Sequence, residues 1–70
     1  MDKGMILQRI GTGEYAIVTE LLYNIDAVGI VIITGGTRYR VGDSRLISKD
    51  TIATSDEDIG ELTIWRTICK

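Results

Sequence analysis

The chain has seventy residues, a formal net charge of −2, no histidine, no proline and one cysteine. A chain this short forms one domain, residues 1–70, and buries only about 60% of the surface that its unfolded form exposes. Imidazole chemistry is excluded by composition, a disulfide scaffold by Cys69 being the only cysteine, and polybasic or strongly acidic binding by the near balance of charge.

The opening segment MDKGMILQRIG lacks the apolar run of a signal peptide. No stretch approaches the roughly 18 apolar residues of a membrane span. The expected location is the cytoplasm, without membrane association. Met5 to Ile10 reads as a short strand, closed by Gly11-Thr12-Gly13. From Glu14 to Val28, the residues Val18, Leu21, Leu22, Ile25 and Val28 fall at i, i+3, i+4, i+7 and i+10, one face of a helix. Thr12 is placed to cap this helix, Glu14 falls in its first turn, and Gly29 is a natural stop. Residues 15–19 favour a strand by composition, but alternation fails across Glu20, Leu21 and Leu22, so the spacing predicts a helix.

Ile30 to Thr34 (IVIIT) is β-branched throughout and reads as a strand covered on both sides. Gly35-Gly36 then offers the positive φ angles of a tight hairpin. The following Arg38 to Val41 alternates, with Arg38 and Arg40 on one face and Tyr39 and Val41 on the other. Leu46-Ile47 and Thr51-Ile52-Ala53 fit either short strands or loop margins. Ser55 to Asp58 fits a helix capping box, with Ile59, Leu62, Trp65 and Cys69 on one face, whereas Thr63, Ile64, Trp65, Thr67 and Ile68 favour a strand. Residues 55–70 stay open between the two. The expected class is α+β, a small single domain in which an amphipathic helix packs on an antiparallel β-hairpin. A small all-β barrel is the alternative.

Catalytic and cofactor signatures are thin. Gly11, Gly13 and Ala16 match GxGxxA, the dinucleotide fingerprint, but Gln8 and Arg9 interrupt the preceding strand and no acid follows IVIIT to hold a ribose. A plain glycine turn is the better reading. Asp56, Glu57, Asp58 and Glu61 lack the spaced ligands and glycine of a calcium loop and read as a solvated segment. Ser44, Ser48 and Ser55 have no base to activate them. Trp65, among Leu62, Ile64 and Ile68, reads as a core or interface residue, and Cys69 as a small residue near a frayed end. The expected protein is therefore not an enzyme and takes no cofactor or metal.

What remains is the basic stretch with Arg38, Tyr39, Arg40, Val41 and Arg45 as candidate partner-binding residues. Its bland reading is a solvated strand face. At a sheet edge, the strand could instead pair with an extended acidic peptide, the arginines attracting its carboxylates. Paired arginines beside a tyrosine could also hold single-stranded nucleic acid, a reading weakened by the net negative charge and the single aromatic.

The order ELLYNIDAVGI, IVIIT, GG, TRYRV and SDEDIGEL resembles the small N-terminal docking domains of hybrid polyketide and nonribosomal peptide synthetases, of the tubulysin-synthetase type, over about residues 19–65. That resemblance implies helices packed on a β-hairpin, a dimer, and capture of the acidic C-terminal tail of a preceding synthetase subunit along the strand Arg38 to Val41. The expected function is a non-enzymatic protein–protein interaction module with an acidic peptide or protein partner, forming a homo-oligomer. The alternative is a small nucleic-acid-binding regulator of the kind found in phage or bacteria.

Overall fold

β-branched and aromatic residues are spread so densely from Met5 to Ile33 that a pleated chain buries more of them than a helical stripe would. The computed structural model describes residues 2–36 and 39–69. It contains six strands: β1 (Ile6–Arg9), β2 (Tyr15–Leu22), β3 (Ala27–Thr34), β4 (Ser44–Ser48), β5 (Ile52–Ala53) and β6 (Trp65–Cys69). They form one sheet in the order β4-β3-β2-β1-β6-β5, antiparallel throughout except for the β5/β6 pair. The sheet curls into a half-barrel. Its concave side holds the core of Leu7, Ala16, Val18, Val28, Ile30, Ile32, Ile52 and Trp65, with Met5 beside them. Among the described residues no helix is long and apolar enough to cross a membrane.

The expected α+β class is corrected by this sheet. Residues 14–28 are not a helix but most of a hairpin, β2 and the start of β3, joined by a 3₁₀ turn over Tyr23–Ile25. The helical spacing has two strand causes. A bulge between Val18 and Glu20 adds one residue, so the inward positions Val18 and Leu21 stand three apart instead of two. Leu21 and Val28 share a face because they are cross-strand partners in the hairpin. Ile25, expected on the apolar stripe, is 62% exposed at the turn. Gly29 is no helix stop: it lies buried inside β3, where an added Cβ would sit 3.2 Å from that of its partner Glu20. The helix-on-hairpin fold implied by the docking-domain resemblance is likewise not the one observed. The architecture lies nearer the all-β alternative, as a curled open sheet.

Other segments correspond more closely. MILQRI supplies β1 and IVIIT the second half of β3, although only Ile30 and Ile32 point into the core while Val31 and Ile33 face outward. Leu46-Ile47 and Ile52-Ala53 are strand residues. The question left open at the C-terminal end resolves to strand: Ser55 makes no capping hydrogen bond, Asp56–Asp58 forms a single 3₁₀ turn, and Trp65 begins β6 with 1% exposure. Ile64 anchors that strand by accepting from Ile10 N and donating to Thr51 O, both at 2.8 Å. The Cys69 side chain lies outside the described features.

Gly11 and Gly13, with φ of 94° and 83°, shape the tight turn joining antiparallel β1 and β2. No helix follows them to present its N-terminus to a pyrophosphate, so the dinucleotide reading has no geometric support. Gly35 and Gly36 lack the positive φ expected of a two-residue hairpin. Gly36 is small for another reason. The connection from β3 to β4 folds back over buried Glu14, and an added Cβ would lie 2.6 Å from Glu14 Cγ and 2.7 Å from its Cδ. Thr12, placed by sequence as a helix cap, instead donates its hydroxyl to the Glu14 carboxylate.

Candidate partner-binding edge

The basic stretch does not form the strand that its alternation predicts. Arg38 lies outside the described residues, and Tyr39, Arg40 and Val41 belong to the loop between β3 and β4. That loop has its own logic. Gly36 N donates to Tyr39 O at 3.0 Å, and a turn over residues 40–43 closes through Asp43 N to Arg40 O (3.1 Å) and Arg40 N to Asp43 Oδ2 (3.2 Å). Gly42, at φ 90°, gives the turn the left-handed residue it needs and bonds back to Ile32 O at 2.7 Å. The period-two pattern of RYRV is thus overridden by local side-chain to backbone bonding from Asp43.

The loop carries Tyr39 over the mouth of the core, where its ring centroid lies 5.9 Å from that of Trp65. Two guanidinium groups meet the same ring, Arg45 at 4.5 Å and Arg9 at 5.5 Å from its centroid. Arg45 arrives from β4, where its register partner is core residue Ile30, and so it stands on the concave side. Arg9 arrives from the end of β1, opposite Trp65. Sequence reading gathered Tyr39 and Arg45 but missed Arg9, although Met5, Leu7 and Arg9 alternate onto one face. Neither arginine forms an ion pair among the described residues, where the ion pair present joins Arg66 to Asp56 at 3.6 Å. The Arg9 Nε is buried without a hydrogen-bond partner there. Of the remaining candidates, Arg40 and Val41 are exposed on the loop.

β4 is one of the two outer strands of the sheet, the two-residue β5 being the other, and its register shows which of its backbone groups are unused. Ile32 N donates to Asp43 O and Lys49 N to Asp26 O, both at 2.9 Å. Bonded pairs recur every second residue in an antiparallel ladder, so Arg45 and Ile47 face β3 while the N–H and C=O of Ser44 and Leu46 point away from the sheet. No proline, lysine or bulge interrupts these five residues, the usual ways in which an edge is blunted. The site is therefore an open strand edge with Arg45 on its concave side, steadied by Tyr39. The acidic segment is engaged elsewhere, Asp56 with Arg66 and Asp58 with the Thr54 hydroxyl at 2.9 Å.

Fold and site together define a small, mainly β half-barrel with an open edge at β4. Comparison with protein-family models, with curated proteins and with solved structures gives no match for the chain.

Proposed function

We propose that the protein is a non-enzymatic interaction module, working in the cytoplasm, that takes up an extended acidic segment of a partner along β4. The observation that carries this reading is the coincidence, on one strand, of unused backbone groups at Ser44 and Leu46 with an Arg45 guanidinium free of any carboxylate among the described residues. Backbone pairing supplies affinity in such strand addition, and a carboxylate opposite Arg45 supplies charge complementarity. Arg40, exposed on the adjoining loop, adds a second cation for steering. The single-stranded nucleic-acid reading is less well supported, because the Tyr39 ring is already covered by Arg45 and Trp65 and offers no free face for a base.

The test is a titration of the isotope-labelled chain with an extended peptide rich in Asp and Glu, followed by amide NMR. Shifts are expected at Ser44 to Ser48 and at Tyr39 to Arg40, and they should vanish in the Arg40→Glu/Arg45→Glu variant. Spectra unmoved by the acidic peptide, or moved equally by a lysine-rich one, would overturn the proposal. A gel shift with mixed single-stranded oligonucleotides at low salt tests the nucleic-acid reading, and retardation there would displace the peptide reading.

A further inference from the structure

A strand laid along β4 meets its side chains in an order that the register fixes. Arg45 and Ile47 are the partners of core residues Ile30 and Val28, so both stand on the concave side, where Ile47 packs against the core. Leu46 lies between them on the convex side and is 63% exposed. The backbones of Arg45 and Ile47 bond inward to β3, which leaves these two at the non-hydrogen-bonded positions toward an incoming antiparallel strand. Opposed Cα atoms there come within about 4.5 Å, and their side chains touch most closely. β4 reads Ser-Arg-Leu-Ile-Ser, one cation followed by two apolar side chains and no other charge. Beyond Ser48 the chain turns in a 3₁₀ helix over Lys49–Thr51, which ends the extended edge. Tyr39 holds the Arg45 guanidinium 4.5 Å from its ring centroid and so fixes where along the edge the cation stands.

We propose that β4 selects a segment of the order apolar–apolar–acidic, read from its N- to its C-terminus and bound antiparallel. The proposal rests on the strand-addition reading above and supplies what that reading leaves open, the residue pattern of the partner. In an antiparallel pair the segment's first residue falls opposite Ile47, the second opposite Leu46 and the third opposite Arg45. The first covers half-buried Ile47 and the second covers exposed Leu46. The third brings a carboxylate to a guanidinium that has none among the described residues. A uniformly acidic segment would set carboxylates against Ile47 and Leu46, where they lose water and gain no partner. Antiparallel bonds run straight across a ladder and pair more strongly than the slanted bonds of a parallel one, and β4 already pairs with β3 in that way. Parallel addition would demand the reverse order, acidic–apolar–apolar.

Amide NMR titration of the isotope-labelled full chain with two end-capped peptides of one composition tests the proposal. These are Thr-Thr-Val-Val-Glu-Thr-Thr and its reverse, Thr-Thr-Glu-Val-Val-Thr-Thr. Reversal mismatches the first and third pairs, each a matter of about two- to five-fold, so the first peptide is expected to bind about tenfold tighter, with shifts at Ser44 to Ser48. Equal binding, or preference for the reversed order, would overturn the proposal. Register is checked by exchange at two exposed positions. Leu46→Lys should shift preference from the first peptide to Thr-Thr-Val-Glu-Glu-Thr-Thr, and Arg45→Glu to Thr-Thr-Val-Val-Lys-Thr-Thr, each by about two- to five-fold or more. A folded variant that keeps the wild-type preference would equally overturn it. If a peptide rich in Asp and Glu moves the β4 amides while the two isomers bind alike, the strand-addition reading stands and the selected order falls. If no peptide moves them, both fall.

Discussion

Gly36 shows how one missing methyl group can decide the conformation of a loop. Its backbone passes so close to Glu14 that any side chain would intrude on the buried carboxylate, whereas an added Cβ at neighbouring Gly35 would meet its nearest atoms, Tyr39 O and Val41 Cγ2, at an ordinary 3.5 Å. Gly36→Ala is therefore expected to destabilise the fold by about 1–3 kcal/mol, and Gly35→Ala by much less. Urea midpoints for the two variants would check this, and equal losses would contradict the packing described. Tyr39 has a different role. Its ring holds Arg45 at 4.5 Å, so Tyr39→Leu keeps an apolar cover on Trp65 while removing the cation–π contact. Such a contact contributes about 0.5–1 kcal/mol at an accessible site, so acidic-peptide affinity should fall roughly two- to five-fold, as isothermal calorimetry would show.

The strand that matters most for recognition is also the one whose backbone can be edited. The Leu46 N–H points away from β3, so proline there breaks no ladder bond and is tolerated as prolines are on edges. Leu46→Pro should cost less than about 1 kcal/mol in stability yet abolish peptide pairing, since it removes a donor that the incoming strand needs. Loss of the fold, or unchanged binding, would show that the outward groups had been misassigned. MILQRI reads as a strand and supplies β1, and IVIIT supplies the second half of β3, whereas β6 stays open between helix and strand in the sequence and β2 is hidden there by its bulge. One extra residue at Thr19 converts alternation into a spacing of three, which periodicity alone reads as a helical step. The basic site was half legible for a similar reason. Arg45 and Tyr39 are visible as residue types, but the Asp43 turn that breaks the expected strand is made by side-chain bonding that no alternation pattern encodes.

At the scale of the whole molecule, the radius of gyration of 11.0 Å equals the roughly 11 Å expected for a compact chain of this length, so the outward isoleucines do not result from loose packing. The homo-oligomer expected from the sequence would make folding and association one equilibrium. That linkage has a measurable consequence. Unfolding of a 70-residue chain absorbs about 50 kcal/mol near 60 °C, or about 100 kcal/mol per dimer. Mass action then raises the thermal midpoint by about 5 °C for a tenfold increase in protein concentration. Calorimetric scans of the wild type over two decades of concentration should show that slope. A flat wild-type midpoint would mean that the chain folds as a monomer, and that 70 residues curled around one side of a sheet suffice for the fold.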